Sequence, residues 1–124
     1  MIQLNYRDSK PIYEQIKEGL RRLIVMNSLA ADEKLPSVRE FASNLAINPN
    51  TIQRAYHDLE SEGYIYTVAG KGSFVAKRQE VYDSRQSELL ETFDEVVEEL
   101  FFLSVKKGEL VERMEHLTEG GEHH

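Results

Sequence analysis

Asn50, Gln53 and His57 stand at i, i+3 and i+7, with Thr51 and Arg54 beside them. On a helix this spacing lines polar side chains along one face. Side-chain amides pair bidentately with adenine and a guanidinium with guanine, so the face suits base edges in a duplex groove. Residues early in a helix reach deepest into such a groove, which favours Asn50, Thr51, Gln53 and Arg54 as contacts. His57 lies further along and is expected to be exposed and partly phosphate-facing. A merely solvated polar face is the plain alternative. Two more cations have suggestive settings. Arg39 falls in the first turn of a preceding helix, where a cation gains nothing from the helix dipole. A phosphate or guanine edge would account for it, as would an intramolecular pair with Glu40 or Asp58. Lys71 lies between Gly70 and Gly72, which permit a tight turn and close backbone approach to phosphate or the minor groove.

The elements that would hold these residues are marked by local chemistry. Ser37-Val38-Arg39-Glu40 fits a capping box, and residues 38–45 are expected to be helical with Phe41, Ala42 and Leu45 inward. Asn48 before Pro49 offers an N-cap and a proline at the first helical position, and Gly63 closes that helix. Ile52, Ala55, Tyr56 and Leu59 bury its other face. Residues 64–68 are rich in β-formers, and residues 73–76 return antiparallel across Ala69-Gly70-Lys71-Gly72. Ahead of these, a helix over about residues 11–27 turns Ile12, Ile16, Leu20, Leu23 and Ile24 to a core, with Arg21 and Arg22 toward water. Helix, turn, helix and glycine-tipped hairpin make a winged helix-turn-helix, whose second helix enters a major groove.

Charge divides along the chain. The net charge is −7. Residues 1–78 carry 11 Lys/Arg against 9 Asp/Glu, whereas residues 79–124 carry 4 against 13. The nucleic-acid face therefore belongs to the N-terminal part. With no cysteine, no membrane-length apolar run and no signal-peptide pattern at the start, the chain is expected in the cytoplasm, without membrane contact.

These motifs, with spacings intact over roughly residues 9–77, resemble the N-terminal domain of the GntR family of bacterial transcription regulators, and within it the short YtrA-type branch. Leu35 to Glu40, Asn48 to Tyr56, Leu59 to Gly63 and Gly70 to Val75 carry the resemblance. It implies an α+β, mostly α fold: a winged helix-turn-helix DNA-binding domain over residues 1–78 and a short helical dimerisation element over 79–119. Residues 120–124 are expected to be a disordered tail. It further implies a homodimer on a palindromic double-stranded DNA operator, acting as repressor of its own operon, often one with an ABC-type transporter. Where the family usually has glycines and a proline before Leu35, this chain has Asn27, Ala31 and Asp32; Asn and Asp tolerate positive φ, so the turn should survive. Pro49 and Gln53 replace arginines common in other branches, so base readout must differ from theirs.

Beyond residue 79 an acidic amphipathic helix is expected over about 80–104, a break at Lys106-Lys107-Gly108, and a shorter helix through Leu110, Val111, Met114 and Leu117. Leu89, Leu90, Phe93, Val97, Leu100, Phe101 and Leu103 are the expected dimerisation surface. About 46 residues leave little room for an enclosed ligand pocket. A ligand sensor at the dimer interface stays compatible, so an unknown small-molecule effector is left open. No nucleophile, base and oxyanion set appears, His116, His123 and His124 are too loosely arranged for a metal, and no enzyme activity or cofactor is expected. The competing function is a winged-helix protein-interaction module without specific DNA readout.

Overall fold

The computed structural model describes residues 2–120. Its elements are α1 (Ile12–Val25), α2 (Val38–Leu45), α3 (Pro49–Ser61), strands β1 (Ile65–Val68) and β2 (Gly72–Val75), α4 (Arg78–Phe102) and α5 (Lys107–Gly120). The fold is a winged helix-turn-helix followed by C-terminal helices. Two compact units divide the chain, Met1–Gln86 and Ser87–His124.

In the first unit, Ile16, Leu20 and Ile24 of α1 are buried, as are Phe41 and Ala42 of α2 and Ile52, Ala55, Tyr56 and Leu59 of α3. The predicted capping box forms in both directions: Glu40 N–H donates to Ser37 Oγ at 3.1 Å, and Ser37 N–H to Glu40 Oε1 at 3.2 Å. Asn48 Oδ1 accepts from Asn50 N–H at 2.8 Å. The turn joining α2 to α3 passes through Ala46, left-handed at φ 56, with Ile47 N–H returning to Ala42 O at 2.9 Å. Tyr56 donates its hydroxyl to Pro36 O at 2.7 Å, tying the approach to α2 onto α3. Burial there pushes its phenol well above the ordinary tyrosine value.

Asn27 and Asp32 take φ 65 and 66, the left-handed conformations their side chains tolerate. Asp32 also gathers the base of the hairpin, accepting from Tyr66 Oη at 2.8 Å and from Lys77 Nζ at 3.2 Å. The Tyr66 hydrogen bond first, and Lys77 second, hold the Asp32 carboxyl below its usual value. The hairpin pairs Tyr66 with Phe74 and Val68 with Gly72. A third, very short segment joins it: Lys34 bridges Phe74, and Leu35 N–H donates to Ser73 O at 2.8 Å.

The first turns of α4 belong to this unit. Val81 is buried, and Arg78 donates to the last carbonyls of α1, Ile24 O at 2.6 Å and Val25 O, where a cation also meets the negative helix end. Gly63, at φ +90, passes so close to Ser84 that a Cβ there would lie 2.5 Å from its Oγ.

In the second unit the break falls earlier than expected. Leu103 to Lys106 form the turn, while Lys107 and Gly108 open α5. Reversal needs one left-handed residue, and Ser104 supplies it at φ 72, with Val105 N–H closing on Leu100 O at 2.9 Å. The glycine is thus not needed for the break. Gly120 ends α5, and the tail expected over 120–124 otherwise lies outside the described residues.

Two outcomes test this account. Left-handed alanine is strained, so Ala46→Gly should raise the unfolding free energy by about 0.5–1 kcal/mol after the greater chain entropy of glycine is counted; urea denaturation measures it. Because the folded Asp32 carboxyl is depressed, its contribution to stability is complete above its ordinary value of 3.8 and is lost as pH falls through the lowered one. Tyr66→Phe should move the NMR-observed titration of Asp32 upward and flatten the acid limb of stability.

Candidate nucleic-acid interface

Helix α3 separates its two faces cleanly. Ile52, Ala55 and Leu59 are fully buried, whereas Asn50, Gln53, Arg54 and His57 are exposed and Thr51 is half-buried. Its amides therefore meet solvent with donors and acceptors uncommitted to the core. Its first turn also differs electrically. Glu14, Glu40, Glu80 and Glu109 occupy the first turns of the other four helices, but α3 has no acidic residue there. The partial positive charge at the start of α3 is consequently not offset by a carboxylate, a setting that favours an anion.

Arg39 stands exposed in the first turn of α2. Neither intramolecular pairing considered for it forms: the Glu40 carboxylate is occupied in the capping box, and Asp58 lies 3.9 Å from Lys17. Among the described residues the Arg39 side chain has no hydrogen-bond or ion-pair partner. Lys71 is exposed at the hairpin tip, with Gly70 at φ +76 and Gly72 at φ +121, conformations that a side-chain-bearing residue would find strained.

Arg54 is placed differently from its neighbours. Its guanidinium carbon sits 3.6 Å from the centroid of the Tyr13 ring, near the start of α1. Tyr13 is a residue that spacing arguments miss, since a ring and a cation far apart in sequence leave no periodic trace. Beside the pair lies a shallow groove of about 340 Å³, lined by Pro11, Ile12, Tyr13, Asn50, Thr51 and Arg54. Stacking of this kind leaves the guanidinium edges able to donate while restricting where they point. Asn50, Thr51 and Arg54 thus share a groove; Lys71 stands apart on the hairpin, and Arg39 on α2.

The residues expected to form a dimer surface are in the second unit. Leu89, Leu90, Phe93, Phe101 and Leu103 are exposed there, and Val97 and Leu100 are half-buried. None of the described side chains from Ser87 onward is buried. Among the described residues no helix is long and apolar enough to cross a membrane.

Comparison with known proteins agrees with this geometry. The family model for bacterial regulatory proteins, gntR family, matches residues 12–75. The uncharacterized HTH-type transcriptional regulator YhcF of Bacillus subtilis is 38% identical over 94% of this chain and 97% of its own length. The HTH-type transcriptional repressor YtrA of the same organism is 44% identical over 62% of this chain, and 59% of YtrA is matched. Among solved structures, the AraR DNA-binding domain in complex with operator ORR3 is 34% identical, covering 60% of this chain and 89% of that one, with a TM-score of 0.53. These relatives are regulators rather than enzymes.

The Tyr13–Arg54 stack should appear as a coupling energy of about 0.5–1 kcal/mol, as for exposed cation–π pairs. A double-mutant cycle of Tyr13→Ala and Arg54→Ala, read by denaturant unfolding, measures it. Tyr13→Phe should retain the coupling, because the ring rather than the hydroxyl carries it.

Proposed function

The chain belongs to the gntR family of bacterial regulatory proteins, and from that premise we propose that it is a homodimeric repressor that reads a palindromic operator. The observation that carries this reading is α3: a fully buried apolar face opposite an exposed row of Asn50, Gln53 and His57, with no acid in its first turn. Asn50 and Gln53 contact base edges, adenine being the partner their amides fit best. Thr51 and Arg54 line the groove beside them, and His57 faces phosphate. Arg39, unpaired on α2, supplies a phosphate or guanine contact. Lys71 and the close-approaching backbone of Gly72 hold the wing to the duplex.

The second unit supports a two-chain assembly. Leu89, Phe93, Val96, Leu100 and Leu103 recur at alternating steps of four and three, the seam on which helices pack as coiled coils. With no buried side chain among its described residues, this unit gains a core by pairing with a second copy, and two-fold pairing would present two α3 helices to two half-sites. The residue rows Leu90 with Val97, and Phe101, widen the same interface. YtrA is a transcriptional repressor, and the resemblance to its short branch implies control of the chain's own operon, including one with an ABC-type transporter. A small-molecule effector would act at the same dimer interface.

Selection of sites from a random duplex library should return a palindrome, and sedimentation should show two chains on it. Gln53→Ala and Asn50→Ala should then relax preference at defined positions, each at a cost of about 1–3 kcal/mol against the wild-type site. Weak, featureless affinity that survives Arg39→Ala and Gln53→Ala would instead identify a protein-interaction module.

A further inference from the structure

The first unit contains five lysines, and their surroundings differ sharply. Lys10 pairs with Glu18 at 2.8 Å, Lys17 with Glu62 and Asp58, and Lys77 with Asp32 at 3.2 Å. Among the described residues the side chains of Lys34 and Lys71 have neither a hydrogen-bond nor an ion-pair partner. Both belong to the wing.

Lys34 reaches the wing through backbone pairing. It bridges Phe74 in antiparallel register, and Phe74 pairs in turn with Tyr66 and stacks on its ring, centroids 5.5 Å apart. Cross-strand partners share a face, so Lys34, Phe74 and Tyr66 lie on one side of the small sheet, while Leu35, the next residue, turns into the core. Gly72 precedes Phe74 by two residues and so lies on that same side. With no side chain at 72, the lysine stem crosses the vacant place: a Cβ there would be 3.1 Å from Lys34 Cε and 3.9 Å from its Nζ. The Lys34 stem thereby lies against the wing at Gly72, the residue that follows Lys71.

The geometry points to Lys34 as a second phosphate-holding cation of the wing, acting beside Lys71 on the backbone of duplex DNA. It rests on the operator-binding reading above and deepens it. Gly72 then has two duties, the left-handed backbone at the tip and the open path for the Lys34 stem. A cation on a flexible stem grips phosphate without reading sequence, so Lys34 contributes to affinity and its salt dependence and leaves base preference to α3.

The test is anisotropy of the full chain on its selected operator and on a scrambled duplex, across a series of salt concentrations. Lys34→Gln and Lys71→Gln are each expected to reduce the slope of log K against log salt by about 0.9, and the double variant by about twice that. The operator-to-scrambled ratio should not change. Lys34→Arg should keep the slope, which separates charge from packing, and Lys10→Gln, whose lysine is already paired with Glu18, should behave as the wild type. Melting temperature verifies that each variant is folded. A wild-type slope in folded Lys34→Gln, with the loss present in Lys71→Gln, would overturn the assignment of Lys34 alone. Failure of the wild-type chain to prefer any duplex would overturn the operator reading and this proposal with it.

Discussion

Helix α3 must be dry on one side and wet on the other, and the rest of the first unit is arranged around that requirement. Thirteen residues cannot hold a helix in water by propensity alone, so the apolar face has to be covered. Ile52, Ala55 and Leu59 are fully buried with Ile16, Leu20 and Ile24 of α1 in one core, which Phe41 and Ala42 of α2 join. Tyr56 extends the same face with a polar end, and its hydroxyl is satisfied by Pro36 O rather than left bare. Once that side is fixed, the register of Asn50, Gln53 and His57 on the opposite side follows without further contacts.

The parts legible in the sequence are those written in local chemistry. The capping box at Ser37 and Glu40, the Asn48 cap, the four-residue apolar face of α3 and the glycines of the hairpin tip all act within a few residues of themselves. Asn27 and Asp32 belong with them, since tolerance of positive φ is a property of the side chain present. What was not legible is non-local. The Tyr13–Arg54 stack, the Arg78 cap on α1, the Gly63–Ser84 approach and the Lys34 bridge each join segments whose nearness only the assembled fold creates. The break before α5 shows a different limit. Glycine at 108 is the strongest local signal, yet Ser104 adopts the left-handed conformation and the glycine is taken into the helix.

The two units obey different physics. The first has a core in which Tyr64, Leu59 and Val81 are wholly removed from water. In the second, Phe102 is 86% exposed and Leu117 71%, large apolar side chains left open to water. Acidic side chains surround these apolar residues, and like charge opposes non-specific association. Loss of that acidity would favour non-specific association.

Part of the positive charge in the first unit is engaged at short range: Lys10, Lys17 and Lys77 by carboxylates, Arg78 by helix carbonyls, Arg54 by a ring. A polyanion at a distance meets a molecule of net charge −7, and attraction to the exposed cations is felt only within about the 8 Å Debye length of physiological salt. Encounter is then governed by ordinary diffusion and orientation, with little electrostatic steering to hasten it. Affinity in such a protein has to be built from slow departure, so occupancy of a site would be long-lived once gained and slow to be regained once lost.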